Sequence, residues 1–140
     1  MPKLYPAVRV KVVQDGQPLE NAYVSLRSED KSLSWGIGGK TDAQGVAQLW
    51  THGKYKGAYA GTFKVVVTKE VNEGEKEYID AMNQNDAKAA AAIKVQSFSF
   101  VEDKFGLESQ TPLKIDIESS SKMIEVNVSP AVRIEKPYMK

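Results

Sequence analysis

The chain holds a single histidine, His52, between Thr51 and Gly53, and no cysteine. Those two facts bound its chemistry. Without thiols there is no cysteine nucleophile, no disulfide and no Cys-ligated zinc. A Ser-His-Asp triad would have to use His52, and no Gly-x-Ser-x-Gly elbow presents a serine. Paired carboxylates such as Asp80 and Glu102 could share acid and base roles, but among 18 acidic residues nothing singles out one pair. Gly36-Ile37-Gly38-Gly39-Lys40-Thr41 has glycines beside a lysine, yet it lacks the Gly-x4-Gly-Lys-Ser/Thr spacing and a long following helix to aim at a phosphate. The residues therefore predict no enzyme, no catalytic group, no metal ligands and no cofactor. His52 reads as a loop histidine at the surface.

Any site on this chain must then be held by a β scaffold. At 140 residues one domain over 1–140 is expected, long enough to bury roughly two thirds of its unfolded surface. Nineteen basic against 18 acidic residues give a net charge of +1, which argues against a generic polyanion surface and a nucleic-acid partner without excluding a local patch. No stretch approaches the ~20 apolar residues of a membrane-spanning helix. The opening Met1-Pro2-Lys3-Leu4-Tyr5-Pro6 has no apolar core and is not a signal peptide, so either the protein is cytoplasmic or an export segment has been removed.

Period-two alternation over short runs marks half-buried strands. Val8, Val10 and Val12 alternate with Arg9 and Lys11; Ala22, Val24 and Leu26 with Tyr23, Ser25 and Arg27; Leu33, Trp35 and Ile37 continue the pattern, with Trp35 in core phase. Phe63, Val65 and Val67 share one face of a strand over 62–71, and the runs Leu113-Ile115-Ile117 and Ile124-Val126-Val128 close the series. Asp15-Gly16 and Asp42-Ala43-Gln44-Gly45 are turn sequences: Asp42 can bond the amides of its own turn while Gly45 takes a left-handed conformation. The expected fold is all-β, an antiparallel seven-stranded Greek-key β-sandwich with a core over 7–129. An insertion over 72–96 interrupts it, with a solvated charged turn at Asn72–Lys76 and one short helix near 86–94, capped by Asn85 or Asp86. The tail over 130–140 is expected to be frayed or lightly docked.

Four motifs, in order, go further than fold class. Asp15-Gly16-Gln17-Pro18-Leu19-Glu20-Asn21-Ala22-Tyr23-Val24, Thr41-Asp42-Ala43-Gln44-Gly45-Val46-Ala47, Ala60-Gly61-Thr62-Phe63-Lys64-Val65 and the stretch from Lys104-Phe105-Gly106 to Thr111-Pro112-Leu113-Lys114-Ile115 resemble transthyretin-like (prealbumin-like), carboxypeptidase-regulatory-type and Cna protein B-type sandwiches of exported bacterial proteins. The resemblance covers most of 7–129 but not the segment over 72–96. Enzymes related to this fold do not fit: hydroxyisourate hydrolases use several histidines and a C-terminal Tyr-Arg-Gly-Ser, whereas this chain ends Pro137-Tyr138-Met139-Lys140, and intradiol dioxygenases need two histidines for iron. A Lys–Asn isopeptide of the Cna protein B type would have to join Lys11 to Asn127, both out of phase with their buried neighbours and so expected to face solvent.

The resemblance implies a register with Ala47 and Leu49 inward and Val46, Gln48 and Trp50 outward. Trp50 is then a candidate anchor, because aromatic faces stack on sugars and fill interface pockets. Tyr55 and Tyr59 could extend the patch, and Tyr23 lies on a neighbouring strand. The expected function is a non-catalytic extracytoplasmic binding, accessory or adhesion module, in the periplasm or at the cell surface, recognising protein or glycan. A self-associating homo-oligomeric subunit of a cell-envelope assembly is the alternative, and a hydrolase of unrecognised type stands behind both.

Overall fold

The computed structural model describes residues 2–32 and 35–137. Leu4–Tyr5 (β1) precedes Arg9–Gln14 (β2), and a two-residue turn leads to Gln17–Pro18 (β3). Tyr23–Ser28 (β4) and Ile37–Lys40 (β5) follow. Val46–Gln48 (β6), Trp50–Thr51 (β7), Tyr55–Lys56 (β8) and Ala58–Tyr59 (β9) are short. The long strand Gly61–Thr68 (β10) passes into Glu70–Glu73 (β11), after which come two helices, Glu75–Asn83 (α1) and Ala87–Ala92 (α2). Gln96–Ser99 (β12), a 3-10 turn at Asp103–Gly106, Lys114–Ile117 (β13), Met123–Asn127 (β14) and Ile134–Lys136 (β15) complete the order.

The turn residues act as their chemistry requires. Asp15 and Gly16 both have positive φ, 52° and 79°, the primed turn whose twist matches its flanking strands. Asp42 accepts hydrogen bonds on Oδ1 from the amides of Gln44 at 2.9 Å and Val46 at 3.0 Å, and Gly45 sits at φ 77°. Thr41 ties this turn to the preceding loop: its hydroxyl donates to the Leu19 carbonyl at 2.6 Å and accepts from the Ala22 amide at 2.8 Å, fully within the protein.

The strands form mainly antiparallel sheets. One has six strands in the order β13-β10-β4-β5-β7-β8; another places β2 between β14 and β3, with β6 also paired to β2. Their inner faces share one core, in which Val10, Val12 and Val126 belong to the same buried cluster as Val24, Phe63 and Val65. Each such aliphatic side chain withdrawn from water stabilises by about 1.5–3 kcal/mol, so this layer holds the fold together. One pairing corrects the expectation of a wholly antiparallel architecture. Met123–Asn127 runs parallel to Arg9–Val13, because the chain enters β14 travelling in the direction of β2.

The 72–96 insertion departs further from expectation. Asn72–Lys76 is not a loose charged turn: Glu70–Glu73 pairs with Gln96–Ser99, and α1 begins at Glu75. Glu75 and Glu77 in its first turn favour that helix end electrostatically, and Gly74, at φ 87°, turns the chain into it. The anticipated alanine-rich helix is α2, capped by Asp86, whose carboxylate accepts from the Ala89 amide at 3.0 Å. Of the two expectations for the tail, docking is what its described part shows. Ile134–Lys136 adds a third strand beside β12, held by Arg133, which lies over the Phe98 ring at 3.7 Å and pairs with Glu73, and by Lys136 with Asp103 at 2.7 Å. Leu33 of the alternating run, and Tyr138, Met139 and Lys140 of the tail, lie outside the described residues.

Candidate functional site

The outward face of the six-stranded sheet carries the candidate site. Successive strand residues point to opposite faces, so with Val24 and Leu26 buried, Tyr23, Ser25 and Arg27 of β4 point away from the core. Register then fixes their neighbours: Ser25 pairs with Gly38, and Gly38 with Trp50. Trp50 stands outward while Leu49 beside it is fully buried, as the expected register requires.

Gly38 leaves the room that the Tyr23 ring occupies. A β-carbon there would stand 2.8 Å from the Tyr23 hydroxyl oxygen and 2.9 Å from the Val24 carbonyl oxygen, so the tyrosine rests on bare backbone. Tyr23 is 54% exposed and Trp50 40% exposed. Between them lies a shallow hollow of about 250 Å³ with Ser25, Gly36 and Gly38 in its floor and His52 and Gly53 at its rim. Among the described residues, none of the helical insertion or the tail lines it.

The other two tyrosines do not join this surface. Tyr55 is exposed but pairs with Thr51, whose side chain is buried, so it leaves the hairpin on the side opposite Trp50 and Lys56. Tyr59 is a core residue, 2% exposed, edge-on to Phe63 at 5.3 Å. The short pairing of β9 with β1 turns it inward, a contact that no local pattern announces. Burial pushes the Tyr59 phenol pKa above its usual value, an effect the Ser28 hydroxyl partly offsets.

Residues outside the expected set stand at and beside the hollow. Trp35 is half-buried against the core, and its ring meets His52 at 4.6 Å. His52, at φ 57°, donates its amide to the Gly36 carbonyl at 2.7 Å. The lone histidine is thus a rim residue packed on tryptophan. Nearby, the Ser32 hydroxyl and amide hold the Asp30 carboxyl below the usual range. Lys11 is half-buried and Asn127 exposed; Asn127 accepts from the Ser129 amide at 2.9 Å.

A larger cleft of about 570 Å³ opens between β10, the 3-10 turn and β15. Val67, Val101 and Leu107 give it an apolar wall, Glu70 and Glu102 edge it, and the Lys136–Asp103 ion pair spans its mouth. Its ammonium is already neutralised. Among the described residues no group of three His, Asp or Glu side chains gathers to hold a metal ion, and every buried side-chain polar atom has a hydrogen-bond partner. Among the described residues no helix is long and apolar enough to cross a membrane. Comparison with protein-family models, curated proteins and solved structures found no match to the chain.

Proposed function

We propose that the chain is a non-catalytic extracytoplasmic binding module, built as a seven-stranded Greek-key, transthyretin-like sandwich, that recognises a glycan on the outward face of its larger sheet. The observation that carries this reading is the pair of exposed rings, Tyr23 and Trp50, set across the glycine floor at Gly38. Flat aromatic faces take up the C–H face of a sugar, and the half-buried Ser25 and backbone beside them can serve its hydroxyls. The depth suits this: a hollow of about 250 Å³ is too shallow to engulf a small molecule but enough to seat a ring. The turn motifs at Asp15-Gly16 and Asp42–Gly45 support the transthyretin-like reading and, through it, an address outside the cytoplasm.

A glycan array probed with the whole chain tests the proposal. Capture should be lost in Trp50→Ala while the circular dichroism spectrum is kept; retention of every captured glycan by that variant would sink it. The competing reading, a self-associating envelope subunit, needs an open sheet edge. The edge strand β11 is exposed at all four residues, yet it carries Glu70 and Glu73, and charge on an edge discourages strand addition. A monomer by light scattering favours the binding module, and a stable oligomer without glycan capture favours the subunit.

A further inference from the structure

Three cations stand side by side on the sheet face that carries the aromatic pair. Lys64 of β10 is directly opposite Arg27 of β4 on one side and Lys114 of β13 on the other. Neighbouring strands lie ~4.8 Å apart, so the row crosses the sheet in short steps, and like charges directly opposite one another destabilise a sheet. The compensation is slight. Lys114 pairs with Glu29 at 3.2 Å, Lys64 reaches only the Glu108 backbone carbonyl at 3.5 Å, and Arg27 has no carboxylate partner among the described residues.

The excess extends over the whole face. Strand register puts Lys40 opposite Tyr23 and Lys56 opposite Trp50. The cations pointing outward from these strands are therefore Arg27, Lys40, Lys56, Lys64 and Lys114, against Asp116, which already accepts from the Thr62 hydroxyl at 2.6 Å, and Glu29 and Glu108 in the adjoining loops. In a chain of net charge +1 this face still carries an excess of cations. The cation row is next to the aromatic row: Arg27 is two residues from Ser25, which pairs with Gly38 between Tyr23 and Trp50. A hollow of about 240 Å³ lined by Arg27, Lys31, Trp35 and Glu108 shares Ser25 and Gly36 with the hollow between Tyr23 and Trp50 and so joins the two rows. A sequence that accepts unfavourable local pairing marks a functional surface.

We infer that this face binds an acidic polysaccharide, with sugar rings stacked at Tyr23 and Trp50 and carboxylates met by Arg27, Lys64 and Lys114. The inference rests on the glycan-binding reading above and names its substrate class. A uronate chain supplies both parts of the match: an apolar ring face for the aromatic row and regularly spaced anions for the cationic one. Duplex nucleic acid offers the charge without an exposed sugar face for the rings.

Titration calorimetry of the whole chain against polygalacturonate, a neutral mixed-linkage glucan and duplex DNA tests it. Polygalacturonate should bind with an affinity that falls as salt rises. The Arg27→Gln/Lys64→Gln/Lys114→Gln variant should lose at least about ten-fold, each charge near a polyanion contributing a factor on the order of five. Its fold should survive, because the change relieves repulsion, and Lys64→Gln alone should still lose a few-fold. Undiminished polygalacturonate affinity in the triple variant overturns the inference. Glucan binding that Trp50→Ala abolishes but the triple variant keeps overturns the acidic ligand and leaves the binding module standing. Binding to neither polymer overturns both, and DNA binding equal to that of polygalacturonate overturns the ligand class.

Discussion

The Tyr23 hydroxyl lies over the α-carbon of Gly38, so close that a β-carbon on residue 38 would stand 2.8 Å from it. The same β-carbon would meet the Val24 carbonyl oxygen at 2.9 Å, and backbone yields less readily than a tyrosine. Gly38→Ala should therefore displace Tyr23 and destabilise the fold by about 1–3 kcal/mol. Near-ultraviolet circular dichroism reports the ring and urea unfolding the stability. An unchanged aromatic spectrum would mean the tyrosine does not rest there.

Trp50 and Tyr59 should part company on mutation. Trp50→Ala removes a side chain that is 40% exposed and should cost less than ~1 kcal/mol, whereas Tyr59→Ala empties a core position and should cost about 3–5 kcal/mol. Urea midpoints of the two variants decide it, and a large loss for Trp50→Ala would assign that ring to packing.

Thr41→Val keeps the shape of a buried side chain but removes its hydroxyl. The Ala22 amide and Leu19 carbonyl then lose a partner inside the protein. A loss of about 1–3 kcal/mol is expected. Thr41→Ser, which restores the hydroxyl, should recover most of it in the same melts.

Alkaline pH probes Tyr59. Burial raises its folded pKa, so the unfolded chain ionises first as pH climbs. Its contribution is fully present below the unfolded value of about 10 and is lost as pH rises through the raised folded value. Melting temperature should fall more steeply across that range in the parent than in Tyr59→Phe; parallel slopes would clear Tyr59 of the effect.

What the sequence shows and what it conceals divide along local and non-local lines. The turns at Asp15-Gly16 and Asp42–Gly45 were legible because backbone conformation there depends on the residues themselves, and the alternation at Val24, Phe63 and Val65 because it follows from strand geometry. Helix α1 was not, since Ile79 and Met82 are exposed, only Ala81 is buried, and no apolar stripe marks it. Strand β15 is three residues long and exists through its partner β12. The site divides likewise. Trp50 and Tyr23 follow from strand phase, but Tyr59 turns inward through a contact with β1, and the Arg27–Lys64–Lys114 row emerges only once three strands are in register.

The parallel pairing of β2 with β14 has a mechanical side. Its ladder is continued at one end by the Arg9 amide on the Lys122 carbonyl, 2.6 Å, and at the other by the Val128 amide on Val13, 2.9 Å. Tension drawn through the residues before Arg9 and after Val128 would pull these strands lengthwise past each other. The bonds would then share the load and rupture together instead of unzipping singly. Resistance to stretching is set by the barrier to that rupture and not by equilibrium stability.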